Sequence, residues 1–318
     1  MTRLVHGGSA VVDYVYRLDA LPSPGTEKTA TSHARIAGGG FNLMVAARRT
    51  GMEVAFAGRL GSGPDGDFLR AALAAENIDM LLPPADGLDS GNSVVLVTDD
   101  AERTFVSWPG AESVLGATDL VPVVLRPDDW VFTSGYTLSY PGSREALAGW
   151  IETLPNGIPF VFDPTPVVLE IPQPILSRVL GRTTWLSCNA TEAAAIAGAD
   201  EIAANAALLM DRHCPKAAGV VIRTGKAGAL IRLRDGSSAT VSGFSVNAID
   251  TNGAGDTHIG AFVSALSRGE EPLAAVRYAN AAAAISVTRP GGSSAPTHAE
   301  ILAFIASRED AATSLMTA

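Results

Sequence analysis

Short apolar runs, each followed by a stretch with helical character, recur along most of this chain, and that alternation leaves it few ways to fold. Val54 to Ala57 precedes Phe68 to Asn77, Trp130 to Phe132 precedes Arg144 to Leu154, and Phe160 to Phe162 precedes a helix near Ile175. Strands joined by helical crossovers run parallel, so the pattern predicts an α/β chain built on a parallel sheet. Leu4 to Gly7 reads as the first buried strand, stopped by glycines. Gly219 to Ile222 and Ala229 to Leu233 read as later strands, followed by Ala-rich helices from Ala254, Pro272 and Thr297.

Two regions break the alternation. Asp13 to Ala34 mixes β-branched residues with Pro22, Pro24 and Gly25, and Ser93 to Val97 faces Arg103 to Trp108 across the turn Asp99-Asp100-Ala101. These regions are expected to pair as a small sheet outside the core. With no internal repeat or low-complexity linker, the expectation is one continuous domain over 1–318, with lid strands from about 13–34 and 92–108.

The net charge of −10 argues against broad contact with nucleic acid or an anionic membrane, yet leaves room for ATP, which needs only local amides, Mg²⁺ and a few cations. Cys188 and Cys214 have neither metal-ligand spacing nor a disulfide framework. The start of the chain lacks the apolar core of a signal peptide, and a cytoplasmic location is expected.

Chemistry concentrates in Ile249-Asp250-Thr251-Asn252-Gly253-Ala254-Gly255-Asp256-Thr257-His258. Small residues sit where a helix begins, so the N–H groups of Gly253, Ala254 and Gly255 can cradle anionic oxygens. In phosphoryl transfer such a cradle neutralises charge, while a nearby carboxylate, here Asp256, accepts the proton of the attacking hydroxyl. Alone, the arrangement is equally compatible with an Asp favoured by the helix dipole behind a glycine turn.

The whole string, followed by Gly260 and a small-residue helix, resembles the C-terminal signature of ribokinase-like (PfkB) carbohydrate kinases. The resemblance extends over nearly the full chain: Ala37 to Asn42, then Val45 to Gly51, is similar to that family's N-terminal signature, in which glycines and an Asn contact the sugar. It implies a three-layer α/β/α sandwich with a mostly parallel central sheet and a small β-sheet lid. It also implies ATP-dependent phosphorylation of a sugar hydroxyl, with a nucleoside kinase as the alternative. Asp13, Gly38, Gly39, Gly40 and Asn42 then fall on the sugar, and Arg103 is expected to reach it from the lid. Asn189 and Glu192 resemble the family's Asn-x-x-Glu motif, which holds Mg²⁺ through water. Arg223, Gly225 and Gly228 correspond to its nucleotide loop, and Asn280 to its adenine-side helix. Asp250 with Thr288 to Ser294 resembles its monovalent-cation site, implying K⁺. A homodimer through the lid is a further expectation.

The match has departures. Ala37 replaces a glycine, Gly63 a common Asp, Arg223 stands where Thr is usual, and His258 where Phe is usual; a packed or solvated imidazole is the expectation there. Asp163-Pro164-Thr165-Pro166 lacks an Asn and an Arg often found there, which argues against ordinary phosphofructokinase activity.

Two other classes compete. Gly61 to Gly66 spells G-x-G-x-x-G between a strand and a helix, as in NAD-dependent oxidoreductases, but Asp86 lies in a Pro- and Gly-rich loop rather than at a second strand's end. A non-catalytic sugar sensor would have no use for an intact Asp256 and cradle. No Walker A string occurs.

Overall fold

The computed structural model describes residues 2–100 and 102–316; Met1, Ala101, Thr317 and Ala318, including the last residue of the expected lid turn, lie outside the described residues. Thirteen strands are described: β1 Arg3–His6, β2 Ala10–Arg17, β3 Ser32–Gly39, β4 Glu53–Phe56, β5 Asp79–Met80, β6 Asn92–Val97, β7 Arg103–Trp108, β8 Trp130–Ser134, β9 Phe160–Asp163, β10 Trp185–Asn189, β11 Gly219–Arg223, β12 Gly228–Leu233 and β13 Ser238–Ser242. Nine form one sheet in the order β13-β12-β11-β10-β9-β8-β1-β4-β5. From β5 to β11 neighbours are parallel; only the β11–β12–β13 edge is antiparallel.

The helices are α1 Phe41–Arg49, α2 Pro64–Ala75, α3 Ala117–Leu120, α4 Gly135–Ser139, α5 Arg144–Glu152, α6 Gln173–Arg182, α7 Ala190–Ala197, α8 Ile202–Leu208, α9 Ala254–Ser267, α10 Pro272–Ser286 and α11 His298–Met316. Neighbouring residues of one strand enter opposite cores, as the period of two requires. Leu4, Val161 and Val221 pack with α1, α2, α9 and α10, whereas Val5, Phe160, Phe162 and Val220 pack with α5, α6 and α8. The expected three-layer sandwich is present.

A second sheet, ordered β3-β2-β6-β7, forms the lid. It grows directly from the main sheet, because only Gly7, Gly8 and Ser9 separate β1 from β2. β3 extends to Gly39, beyond the expected Ala34, and runs into α1 through Gly40. Gly38 and Gly39 pair with Val11 and Ala10.

The G-x-G-x-x-G loop has a structural task. Its helix begins at Pro64, four residues before the expected Phe68, and Asp89 accepts hydrogen bonds from Asp65 N (3.1 Å) and Gly66 N (2.8 Å). The protein's own carboxylate thus occupies the helix start where a dinucleotide phosphate would sit. A Cβ at Gly61 or Gly63 would lie 2.3 or 2.4 Å from Asp89 atoms, so these glycines serve that close packing.

One helix crossing positions the site. A Cβ at Gly260 of α9 would lie 2.7 Å from both Ala46 Cβ and Leu43 O of α1, so the missing side chain lets the helices approach closely. That approach brings the N-terminal signature at the start of α1 against the C-terminal one at the start of α9.

Candidate active site

The carboxyl ends of the parallel strands converge on the start of α9, the usual ligand position in an open α/β sheet. Gly253 caps α9 with φ +69°, and a Cβ there would meet Gly292 O at 2.1 Å. Conformation and space both demand glycine. A helix start leaves its first-turn amides without intrahelical partners, and here Ala254 N donates to Thr251 O at 3.4 Å. The nearest atoms to a Cβ placed at Gly255 belong to the Arg223 guanidinium, at 3.7 to 3.8 Å, so a cation flanks the cradle.

Asn42 Nδ2 approaches Asp256 Oδ2 at 3.4 Å, while Asn42 Oδ1 is buried without a partner. Burial pushes the Asp256 carboxyl up to about 7, reinforced by the charge of Asp163 and opposed by Asn42 and Arg223. A carboxylate poised there exchanges protons near neutral pH, as a general base must. Asp13, on β2, is buried and driven up to about 6 by desolvation. A Cβ at Gly38 would lie 2.2 Å from Asp13 Oδ2, so Gly38 is the space in which that carboxylate rests. Gly40 similarly clears the buried His6 imidazole, whose Nε2 would lie 2.2 Å from a Cβ there, and Gly39 takes φ +60°. Asp13, Asn42, Gly38 to Gly40 and Asp256 are therefore gathered where the lid strands β2 and β3 meet the starts of α1 and α9.

On the other side, Arg223 closes β11 and gathers the ends of its neighbours. Its Nη1 donates to Ser187 Oγ (2.7 Å) and its Nη2 to Asp163 Oδ2 (3.3 Å), with Glu192 Oε2 at 3.6 Å. Asn189 and Glu192 form a reciprocal cap on α7: Asn189 Oδ1 accepts from Glu192 N, and Glu192 Oε2 accepts from Asn189 N. Burial, then the charge of Asp163, raises Glu192 to about 7; burial also raises Asp163, against the pull of Arg223. Asp163, Glu192 and the Asn189 amide offer oxygen donors suited to contact through water, while no group of three or more His, Cys, Asp or Glu that could hold a metal ion occurs among the described residues. That donor set fits a hydrated Mg²⁺ brought with a nucleotide. Gly225 (φ +61°) faces open space, whereas Gly228 (φ +106°) lies 2.1 Å, by its Cβ position, from Val241 O and serves the β12–β13 packing.

Three residues with expected ligand contacts have protein partners. Arg103 spends its guanidinium on Asp250 rather than on the sugar opening, and Asp250, expected to hold K⁺, is correspondingly ion-paired. Asn280 is expected beside adenine, but its Nδ2 donates to Val241 O (3.0 Å) and Ser242 O (3.2 Å), which fixes its Oδ1 towards His258 Nε2 at 3.1 Å. Asn280 thus ties α10 to β13. His258 is packed and neutral, lowered to about 3 by burial. Between β13 and α10 lies a cavity of about 550 Å³, lined by Val241, Ser242, Gly243, Phe244, Leu273 and Arg277.

Sequence reasoning did not bring Asp163 and Ser187 together on Arg223. Asp163 had a signal: it ends a strand before a Pro-Thr-Pro turn in which Thr165 is held at φ +59°, with Thr165 N donating to Asp163 Oδ1 at 3.0 Å.

A glycine-rich helix start beside a buried carboxylate, at the carboxyl ends of a parallel sheet and next to a small second sheet, is the arrangement of a small-molecule phosphotransferase of the α/β class. Comparison with known proteins agrees. The pattern of the pfkB family carbohydrate kinase matches residues 1–299. An uncharacterized sugar kinase, YegV, of Escherichia coli K12 is 33% identical over 297 residues, 93% of this chain and 91% of that protein. A ribokinase of Haemophilus influenzae is 34% identical over 307 residues, 94% and 96% of the two chains. The ribokinase structure from Giardia lamblia superposes with a TM-score of 0.81 at 24% identity, covering 96% of this chain and 99% of that one. The chain belongs to the pfkB carbohydrate kinase family, and it is an ATP-dependent sugar kinase.

Proposed function

We propose that this kinase transfers the γ-phosphoryl group of ATP to a hydroxyl of a small sugar or sugar derivative held beneath the lid, with Asp256 as general base. The observation that carries this reading is the meeting of Asn42 and Asp256 at 3.4 Å, which joins the sugar-side and phosphate-side signatures at one point. Asp13 accepts from the sugar's hydroxyls, the Asn42 amide accepts and donates, and the Gly38–Gly40 backbone lies close enough to touch the ring. One hydroxyl then faces Asp256 in line with the cradle formed by Gly253, Ala254 and Gly255, and this orientation supplies much of the rate.

On the nucleotide side, Arg223 lies beside the phosphates, Gly225 offers unobstructed backbone, and the base enters the cavity between β13 and α10. Glu192 and Asn189, with Asp163 alongside, hold Mg²⁺ through water; the ion neutralises phosphate charge when bound. Lid closure keeps water from Asp256 and the transferring group. The outer lid strand β7 exposes Phe105, Val106 and Trp108, and a second copy of the chain covers them in a homodimer. The two buried free thiols, Cys188 and Cys214, suit a reducing, cytoplasmic setting.

A coupled assay of ATP turnover across pentoses, hexoses and nucleosides tests the reading. Turnover that depends on one sugar supports it; turnover confined to nucleosides moves the assignment to a nucleoside kinase.

A further inference from the structure

The likeness of Asp250 and residues 288 to 294 to a monovalent-cation site makes a physical demand that this chain does not meet. A cation needs a carboxylate with an open side and carbonyl oxygens free to ligate it. Here the Arg103 guanidinium is paired to Asp250 Oδ1, Asn252 N donates to the same oxygen at 2.9 Å, and Gly291 N donates to Oδ2 at 3.1 Å. Ser293 O in the loop accepts from Arg49 Nη1 at 3.2 Å, and two carbonyls just before the loop are engaged. Val287 O accepts from Ile249 N (2.7 Å) and Asp250 N (3.1 Å), and Ser286 O accepts from Arg289 N and Ser294 Oγ, both at 3.0 Å. Three donors therefore already hold the Asp250 carboxylate.

Both partners of the ion pair are largely shielded, with side-chain exposures of 18% for Arg103 and 9% for Asp250. Arg103 begins lid strand β7 and stands 147 positions from Asp250. Three segments therefore meet on one carboxylate: the lid, the turn into the glycine loop, and the loop at Gly291. The last two also touch at Gly253, where Gly292 O occupies the space of a side chain.

We propose that Arg103 is the resident cation of this site, taking the place of K⁺ at Asp250 and fixing the Asn252–Gly253 turn from which the phosphate cradle starts. A guanidinium is always charged and offers several donors in a fixed fork, so it supplies permanently what an exchangeable ion supplies only when bound. Because it is carried by the lid, the cradle is held in shape only while β7 lies against it. Arg103 is in this account a positioning residue acting through Asp250, and the inference rests on the kinase reading of the cradle.

The test compares wild type, Arg103→Met and Arg103→Lys in K⁺, Na⁺ and tetramethylammonium at one ionic strength, reading melting temperature and sugar-dependent ATP turnover. Wild type should show the same melting temperature and turnover in all three cations. Arg103→Met should lose about tenfold or more in turnover in tetramethylammonium. It should then acquire a saturable, K⁺-selective recovery of both turnover and melting temperature. Arg103→Lys should stay indifferent to the cation. A wild type that requires K⁺, an Arg103→Met loss that K⁺ leaves unrepaired, or no loss at all would overturn the proposal. The wild-type comparison stands even if the Met variant does not fold. Melting needs no sugar, so a failure of the kinase reading, seen as no turnover with any sugar, is distinguishable from a failure of this one.

Discussion

Asn42 and Asp256, 214 positions apart, meet at 3.4 Å where α1 and α9 begin. Each belongs to a glycine-containing segment, and the contact exists because Gly260 lets the two helices close on Ala46 and Leu43. The amide favours the ionised form of Asp256, against burial and the charge of Asp163.

Removing that amide should make Asp256 a weaker acid. In Asn42→Ala the acid limb of kcat/KM, set near pH 7 in wild type, is expected to move to higher pH by about half a unit to one unit. A pH–rate profile checks this, and the variant should also show a raised KM for the sugar.

Asp163 acts in the opposite direction. Its negative charge raises Asp256, so Asp163→Asn should move the acid limb to lower pH while leaving Arg223 without an ionised partner on β9. Other charges facing Asp256 are Arg223 on β11, which lowers it, and Asp13 on β2, which raises it. Opposite displacements in the Asn42 and Asp163 variants would identify the limb as Asp256.

Gly38→Ala places a methyl group 2.2 Å from Asp13 Oδ2, a distance no real pair sustains. The strand can shift only by breaking its pairing with Val11, so the Asp13 carboxyl must move. The expected outcome is a rise of about tenfold or more in sugar KM with ATP affinity retained, measured by steady-state kinetics and ATP titration.

Asp256 also carries a cost in stability. Its folded value of about 7 lies above the unfolded one of 3.8, so its contribution is fully present below pH 4 and is lost as pH rises to about 7. At pH 8 the unliganded Asp256→Asn protein should be more stable than wild type by about 2 kcal/mol, a few degrees in Tm. The difference should shrink progressively towards pH 4. Thermal melts at several pH values read this directly.

Much of this architecture is legible from sequence because it is local. Alternating strands and helices predict the parallel sheet, and the glycines before Asp256 predict a helix start with open amides. What escapes is whatever depends on register between distant segments. Asp163, Ser187 and Arg223 lie on β9, β10 and β11, and nothing in their spacing says that one guanidinium joins the first two. Arg103 reads as a lid residue free to reach a ligand, yet the fold sets Asp250 within its reach. Asn280 is expected beside adenine, and the spacing does not show that backbone carbonyls of β13 take its amide donors. The dinucleotide reading of Gly61 to Gly66 fails already on Asp86, but sequence does not show that Asp89, 23 positions beyond Gly66, fills the place of a phosphate.

The central claim is that Asp256 takes a proton during transfer and does little to hold ATP. Asp256→Asn should therefore be compared with wild type in single-turnover phosphorylation of the sugar alongside an ATP titration. The account predicts a loss of about 10² to 10⁴ in the rate of transfer with ATP affinity nearly unchanged. Transfer at close to the wild-type rate, or a loss traced entirely to weaker ATP binding, would contradict it.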